Sequence, residues 1–471
     1  MQNRLRVSTG ARSTTSLLCL AIVMAASAFR SHGQQPASVD MGFNADLASG
    51  LNRSSVFDIA MQDDGRILVA GYLWSSSGLP NEGLARLNQD GSIDPTFGPV
   101  LSGSQIMTVV VQRDQQILIG GRFTYDVDGV TRSNIARLNP DGSPDPSFDP
   151  GPGPHAMVFS VLEQPDGKIL VGGSFRSYGG TGRAGLVRLQ HDGQLDTGFQ
   201  SLPSWSIASV QSVARARNGQ ILIQGFFAPS STNSLPGVQR LNSDGSVDAT
   251  FAPDIPMMLT SMAVRPDGKV LVATGWSGQD DLLLLNTDGS RDTNFVTDVY
   301  GPASDMNPPG VQVIALQANG KVLIGGKFTK INGVPRRNIA RLEPDGRLDT
   351  SFDAGAGPAS SFDTVSYRVS AMTLLKDGHI LVAGPFQTFS GTPRGGMAKL
   401  LGDPLPHLET GTLVGDNFQA RVIANLGDVI DIKTSSDLAS WVPWTTLTND
   451  SGTVSFTDSN VGIRFYRAAT R

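Results

Sequence analysis

The sequence is poor in cysteine and in charge. It contains one cysteine in 471 residues, Cys19, which lies within the first 33 residues. The remaining chain therefore has no disulfide bond and no thiolate chemistry. Charged residues make up only 17% of the chain, too few for the solvent-facing sides of a helical bundle or a coiled coil. The formal net charge of −5 lacks the basic excess that displaces counterions from phosphate, so we expect no nucleic-acid partner.

The N-terminal segment has the pattern of an export signal. Three arginines precede the apolar run 17–26, and the small residues Ala-Ser-Ala that end at Ala28 fit a cleavage site. The run is shorter than the ~20 residues that a membrane-spanning helix needs, and no later segment is apolar enough to cross a membrane. We predict that residues 1–33 are a signal peptide, cleaved after Ala28 or Gly33. The protein is then expected in the periplasm, at the cell surface or outside the cell.

Glycine is abundant, with 54 residues, and many of them fall in one repeated unit. The unit has a first Asp-Gly turn, a strand glycine six or seven residues later, an Arg-Leu pair, a second Asp-Gly turn and an Asp-x-x-Phe closer. Asp-Gly between apolar runs favours tight hairpin turns of type I′, in which φ is positive. The residues at the first turn of the seven copies are Gly65, Gln115, Gly167, Gly219, Gly268, Gly320 and Gly378.

One of the seven closers is displaced. Six copies end in Asp-x-x-Phe, whereas the seventh ends at Leu400 without it. The missing closer precedes the first copy, as Asp40 and Phe43. Four short strands in about 52 residues, repeated seven times, are typical of a β-propeller. We predict an all-β fold in which residues 38–404 form a seven-bladed β-propeller, with an N-terminal strand closing the last blade.

Residues 405–471 do not match the repeat. They alternate apolar and polar side chains, for example over 418–423 and 429–433, which is the pattern of half-buried strands. We predict a separate C-terminal β module that resembles a small β-sandwich.

The repeat resembles a known one. The run Pro-Asp-Gly-Lys-Ile-Leu-Val-Gly-Gly-x-Phe over 165–175, with the later Arg-Leu, Asp-Gly and Asp-x-x-Phe, resembles the delta-60 repeat family of exported bacterial β-propeller proteins. The resemblance covers roughly residues 38–404. It implies a propeller and export, and it implies no established activity.

The fifth copy departs from the pattern. Leu284 replaces the arginine of the Arg-Leu pair, and Arg291 stands beside Asp292. We hypothesise that the arginine of each copy pairs with the aspartate of its closer, and that Arg291 compensates in the fifth copy.

Strand alternation assigns the loops to two faces. Both Asp-Gly turns lie on one side, here called the turn face, and the two other connections lie on the opposite side, called the variable face because those loops differ in length between copies. Function usually resides in such loops on a rigid scaffold. We expect aromatic side chains there to stack against a glycan or a protein; the alternative is that they only anchor the longer loops. The candidates are Trp74, Tyr125, Tyr178, Trp205, Trp276, Tyr300, Phe362 and Tyr367.

The position seven residues before the first turn is predicted to line the central channel. Mostly small residues occupy it, as a crowded axis requires, and the ring carries one carboxylate and no histidine. A central metal needs several converging His, Asp or Glu ligands, so we expect no metal and no cofactor. The seven positions are Asp58, Thr108, Ser160, Ser212, Ser261, Val313 and Ala371.

These patterns favour binding over catalysis. The leading hypothesis is an exported, monomeric binding or scaffold protein that engages a protein or a glycan through the variable face. The alternative is a propeller lyase or hydrolase that acts on an extracellular polymer with acid and base groups from the long loops. The sequence assigns no catalytic residues, and the groups available for that alternative are Asp298, Asp305, Asp363 and Tyr367.

Overall fold

A computed structural model shows a chain of β-strands in two compact units. One unit is Arg30–Pro404, and the other consists of Met1–Phe29 with Leu405–Arg471. The described residues form no helix, and hence none that is long and apolar enough to cross a membrane. The predicted signal peptide lies outside the described residues, except for Ile22–Val23. The structure describes residues 22–23, 36–45, 55–73, 83–200, 207–216, 218–230, 233–253, 255, 259–274, 281–301, 310–360, 367–402, 407–408, 412–414, 417–423, 429–435, 440, 442–448, 453–459 and 465–470.

Each repeat forms a three-stranded antiparallel sheet, and these blades are numbered 1 to 7 in chain order. The second strand of every blade lies between the first and the third. The first strands are Ser55–Met61, Ser102–Val111, Val158–Glu163, Ile207–Arg215, Leu259–Val264, Gly310–Leu316 and Ala371–Leu374. The second strands are Ile67–Tyr72, Ile117–Val127, Ile169–Gly173, Ile221–Ser230, Val270–Thr274, Val322–Lys327 and Ile380–Ala383. The third strands are Leu84–Leu87, Val130–Leu138, Leu186–Leu189, Asn233–Leu241, Leu282–Leu285, Ile339–Leu342 and Met397–Leu400.

The predicted fourth strand is reduced to a single β-bridge. In blade 1 the bridge joins Leu87 to Ile93, and blades 2 to 6 repeat it. The chain then leaves the sheet because the closer folds into a turn: the Thr96 backbone N–H donates to Asp94 Oδ1 at 2.9 Å. This turn directs Phe97 into the core, where its side chain is fully buried.

The ring closes between blade 7 and blade 1. Val39 forms an antiparallel bridge with Leu400, and the Asp40 N–H donates to the Lys399 carbonyl oxygen at 2.8 Å. Clusters of buried apolar side chains fill all seven junctions between neighbouring blades, and the cluster at the closing junction includes Phe43. The first strands contact one another around the ring, including those of blades 7 and 1. The predicted seven-bladed propeller, closed by an N-terminal strand, is confirmed.

The strand glycine has a steric cause. In blades 1 to 6 a β-bulge interrupts the first strand, between Val56 and Asp58 in blade 1. The carbonyl oxygen of the first-strand residue before the bulge then lies against the Cα of the strand glycine. A Cβ on Gly71 would collide with the Ser55 carbonyl oxygen, and one on Gly225 with that of Ser209. Only glycine fits where the backbone approaches this closely.

The Asp-Gly turns differ from the predicted type I′ geometry. In the first turn of blade 1 the Gly65 N–H donates to the Gln62 carbonyl oxygen at 3.0 Å, and only Gly65 has a positive φ, of 83°. A type I′ turn requires two positive φ angles, so it is excluded here. The turn is a three-residue loop whose last residue has a left-handed backbone conformation. Gln115 adopts the same conformation in blade 2, with φ 69°, so the turn persists there without glycine.

The Arg-Leu arginine and the closer aspartate form a buried ion pair. Arg86 Nε lies 2.8 Å from Asp94 Oδ2, and its guanidinium stacks over the ring of Phe97. The same three residues meet in blades 2, 3, 4 and 6, with Nε–Oδ2 distances of 2.6–2.8 Å. The hypothesis that the two residue types pair is confirmed.

The same arginine also reaches the next blade. Arg137 of blade 2 donates to the His191 carbonyl oxygen in the second turn of blade 3, at 2.6 Å, and Arg188 of blade 3 donates to that of Ser243 in blade 4, at 2.6 Å. Arg86 of blade 1 makes the equivalent bond to Pro140. We call this set of contacts the arginine clamp.

In blade 5, where Leu284 replaces the arginine, two other residues make the ion pair and the bond to the next blade. Lys269 pairs with Asp292 at 2.6 Å. Arg265 donates to the Pro344 carbonyl oxygen in the second turn of blade 6 at 2.9 Å. The compensating role suggested for Arg291 stays a hypothesis.

Hairpins between the second and third strands project on the variable face. In blades 2 and 4 they are continuous with the long strands, whereas in blades 3, 6 and 7 they form separate small sheets. The extra strands are Ser177–Tyr178 and Thr181–Gly182 in blade 3, Val299–Tyr300, Lys330–Ile331 and Val334–Pro335 in blade 6, and Pro358–Ala359, Thr388–Phe389 and Thr392–Pro393 in blade 7.

The smaller unit has two sheets around one core, which confirms the predicted sandwich-like module. Val422 and Phe456 of one sheet are buried with Ile432 and Tyr466 of the other, and Trp444 packs against them. One sheet contains Ile22–Val23, Val429–Ser435, Val442–Thr448 and Phe465–Thr470, and the other contains His407–Leu408, Thr412–Val414, Asn417–Ile423 and Thr453–Asp458.

Phe43→Ala tests the closing junction. The phenyl ring is 1% exposed and belongs to the cluster shared by blades 1 and 7. We expect the free energy of unfolding in urea to fall by about 3–5 kcal/mol, because the substitution leaves a cavity. Met41, two residues earlier, is 64% exposed and provides the matched control, since Met41→Ala should change stability by less than about 0.5 kcal/mol. Equal effects of the two substitutions would contradict closure by this segment.

Candidate functional site

The closer aspartates of the turn face have structural partners. Burial alone would raise the pKa of Asp94, but hydrogen bonds from Thr96 and Arg66 and the charge of Arg86 lower it to about 2. Hydrogen bonds from Thr250 and Arg240 lower the pKa of Asp248 to about 2. These carboxylates are ionised and engaged at neutral pH, so they are poor candidates for acid–base chemistry.

The seven predicted channel positions are equivalent in the structure. Each pairs with the second-strand residue just before the strand glycine or its counterpart, as Asp58 does with Ala70 and Thr108 with Gly120. Thr108 and Ala371 are buried, and the other five are half-buried. That all seven line a channel stays a prediction.

Asp58 links two blades. Its Oδ1 accepts from the Ile59 N–H at 2.9 Å, and its Oδ2 accepts from the Val109 N–H of blade 2 at 3.0 Å. Ser160 Oγ accepts in the same way from the Val213 N–H of blade 4, at 3.2 Å. Burial raises the pKa of Asp58 to about 6, although the backbone hydrogen bonds oppose that rise. An ionisable carboxylate in blade 1 therefore makes the contact to the next blade that a neutral serine hydroxyl makes in blade 3.

The predicted face aromatics have different positions. Tyr125 and Tyr178 are 4% and 2% exposed and lie in blade cores, since strand alternation turns them inward. They are therefore not available for stacking against a ligand. Burial also raises the pKa of Tyr125 to about 12. Tyr300 is 61% exposed, beside Lys330, whereas Tyr367 is half-buried against the core of blade 7. The candidates Trp74, Trp205, Trp276 and Phe362 lie outside the described residues.

The groups named for the catalytic alternative do not form a site among the described residues. Asp298 is exposed, and its backbone N–H is held by Asn332 at 2.7 Å. Asp305 and Asp363 lie outside the described part of the chain. Within that part, no three His, Cys, Asp or Glu side chains are grouped so that they could hold a metal ion.

A cleft of about 770 Å³ opens between blades 2 and 3 on the variable face. Arg122 and Phe123 line it from the second strand of blade 2, and Phe159 lines it from the first strand of blade 3. His155 lies at its edge, with Nδ1 3.1 Å from Ser177 Oγ and 3.2 Å from the Ser177 carbonyl oxygen. We refer to this feature as the blade 2–3 cleft.

One position of the repeat distinguishes this cleft in the sequence. Arg122 directly follows the strand glycine Gly121, toward the variable-face end of the second strand, Ile117–Val127. Each copy has a different residue there, in contrast to the regular turns. The seven residues are Tyr72, Arg122, Ser174, Phe226, Trp276, Lys327 and Pro385.

Comparison with protein families finds one match. A model described as a domain of unknown function (DUF5122) β-propeller matches the chain in seven segments, which together cover about half of it. The segments are 62–97, 112–148, 164–199, 216–251, 265–295, 317–352 and 375–403. No curated protein matches the chain.

Solved structures resemble the chain at low identity. A mutant of puromycin hydrolase in complex with PGG is 16% identical, with a TM-score of 0.47; the match covers 83% of this chain and 61% of that one. A gluconolactonase from Xanthomonas campestris is 12% identical, with a TM-score of 0.37, over 78% of this chain and 98% of that one. At these identities the likeness concerns the fold alone.

Asp58→Ser tests the raised pKa. Serine is the residue at this ring position in blades 3, 4 and 5. The folded pKa of about 6 exceeds the ordinary value of 3.8, so the carboxylate of the natural protein costs stability progressively as the pH rises from about 4 to about 6. The free energy of unfolding of the variant, relative to the natural protein, should therefore rise by about 3 kcal/mol across that range.

The exposed Asp298→Ser is the control for that titration. Urea unfolding at several pH values should give this control a much smaller dependence on pH than Asp58→Ser. A flat difference between Asp58→Ser and the natural protein from pH 4 to 7 would contradict the raised pKa.

Proposed function

This chain belongs to the DUF5122 β-propeller family, and we propose that it is an exported binding protein whose variable face engages a protein or a glycan. The observation that carries the proposal is the blade 2–3 cleft. It combines the half-buried ring of Phe159 with hydroxyl, imidazole and guanidinium groups. Such a mixture of apolar surface and a few polar groups is typical of ligand sites.

The distribution of titratable groups supports binding over catalysis. An enzyme of the lyase or hydrolase type needs acid and base groups that converge on one pocket. The closer aspartates are engaged in ion pairs, and Asp58 is engaged by backbone N–H groups between blades 1 and 2. No carboxylate lies among the described residues that line the blade 2–3 cleft. The lyase or hydrolase remains the alternative.

The finer assignments are proposals of the same kind. The repeats are of the delta-60 type, and residues 1–33 direct export to the periplasm, the cell surface or the medium. The mature protein is a monomer, and the seven ring positions from Asp58 to Ala371 line the channel.

A glycan array with matched variants tests the binding face. Phe159→Ala alters the variable face, and Arg347→Ala, at a side chain 78% exposed in a second turn, alters the turn face. We expect Phe159→Ala to weaken binding about 10-fold or more, because buried aromatic anchors dominate such contacts, and Arg347→Ala to bind like the natural protein. Circular dichroism checks that both variants fold.

Two results would contradict the proposal. Binding lost in Arg347→Ala and kept in Phe159→Ala would assign the partner to the turn face. New reducing ends or unsaturated sugars, released from polysaccharides by the natural protein, would establish the enzymatic alternative.

A further inference from the structure

We infer that the blade 2–3 cleft binds the carboxylate of an acidic polysaccharide, with Arg122 as its main ligand. The inference rests on the proposed function and adds the chemical class of the ligand.

Arg122 projects into the cleft because of strand alternation. Phe123, Tyr125 and Val127 of the same strand are buried in the core between blades 1 and 2, and Arg122 and Thr124 are exposed on the opposite side. The planar guanidinium donates two parallel hydrogen bonds to a carboxylate, a geometry that a lysine ammonium does not reproduce.

The charge of the cleft is opposite to that of the chain. Arg122 is the charged residue of its described lining and is cationic, whereas the chain as a whole has a net charge of −5. The cleft of the turn face between blades 7 and 1 differs, since its lining contains three carboxylates, Asp63, Asp64 and Asp377, beside the two lysines Lys376 and Lys399. Local positive charge on an acidic protein attracts anionic ligands to that point and raises their rate of association.

The groups around Arg122 suit a sugar. The half-buried ring of Phe159 offers an apolar surface, and Ser102, Thr124 and Ser133 bring hydroxyl groups to the lining of the same cleft. Sugars present the complementary combination, with apolar ring faces and hydroxyl edges.

Asn134 makes the floor of the cleft rigid. Its Oδ1 accepts from the Phe123 N–H at 3.2 Å, and its Nδ2 donates to the Pro154 carbonyl oxygen at 2.8 Å. The amide thus joins the hairpin of blade 2 to the segment that enters blade 3. Preorganisation of this kind reduces the entropy that binding would otherwise cost.

An acidic peptide is a less suitable ligand for this cleft. Extended peptides commonly bind by adding a strand to a free sheet edge. The strand that carries Arg122, Ile117–Val127, pairs there with Ser102–Val111, and its pairing with Val130–Leu138 is interrupted between Gly120 and Thr124. Within that interruption the Phe123 N–H already donates to Asn134 Oδ1, so this N–H is not open to an added peptide strand.

Calorimetry with matched ligands tests the inference. The ligands are a tetragalacturonate, its methyl ester and a tetraglutamate peptide, each titrated into the full chain. We expect the tetragalacturonate to bind and its methyl ester to bind about 10-fold more weakly or worse, because the ester lacks the carboxylate charge. A rise from low to high NaCl should weaken binding of the tetragalacturonate, because salt screens the ion pair.

Substitutions at one residue locate the site. Arg122→Ala should weaken tetragalacturonate binding about 10-fold or more, and Arg122→Lys should give an intermediate loss because the charge remains and the bidentate geometry is lost. Arg347→Ala, an exposed arginine of the turn face, is the control and should bind like the natural protein.

The contrary outcomes are distinct. Equal affinity for the acid and the ester, or an unchanged affinity in Arg122→Ala, would overturn the inference. Binding of the peptide alone would overturn it in favour of a peptide ligand. If the glycan array finds a neutral glycan that needs Phe159 while no uronate binds, this inference fails and the proposed function stands. If neither experiment finds a ligand on this face, both fail.

Discussion

A largely buried arginine on the third strand joins neighbouring repeats. It forms an ion pair and a ring stack within its own blade and donates a hydrogen bond to the next blade. In blade 3, Arg188 pairs with Asp196, stacks on Phe199 and donates to the Ser243 carbonyl oxygen of blade 4. Loss of the arginine would remove the stack on Phe199 and the bond to blade 4, and would leave Lys168, whose Nζ lies 2.9 Å from Asp196 Oδ2, as the remaining cationic partner of that carboxylate. The arrangement therefore constrains three positions in blades 1, 2, 3, 4 and 6, and in blade 5, where the arginine is absent, Lys269 makes the ion pair and Arg265 makes the bond to the next blade.

This constraint separates the two faces. The turn face contains the clamp, and its closer aspartates are paired, so its loops have uniform sequence and geometry. The hairpins of the variable face differ between blades 2, 3, 6 and 7 in length and in pairing. The blade 2–3 cleft lies on that face, and Arg122 and Phe159, which line it, take no part in the clamp contacts described above. Stability and recognition thus depend on different residues of the same repeat.

The sequence predicted the ring because the repeated positions are those that packing and turns constrain. The displaced closer at Asp40 and Phe43 predicted how the ring ends. The turn type was wrong, because a glycine with positive φ fits both a two-residue and a three-residue loop. The inward orientation of Tyr125 and Tyr178 was missed, since loop length alone does not reveal that these hairpins pack their aromatic side chains into the blade cores. The cleft was missed because its residues belong to no repeated pattern.

Hydrogen exchange tests most directly whether the clamp couples neighbouring blades. In Arg188→Leu the lost hydrogen bond is to Ser243, in the second turn of blade 4. In that turn the Gly245 N–H donates to the Asn242 carbonyl oxygen at 3.0 Å. Exchange of the Gly245 amide should become faster in the variant, whereas exchange in the second turn of blade 1, around Gly91, should not change. Faster exchange confined to blade 3, with Gly245 unaffected, would contradict a clamp between blades.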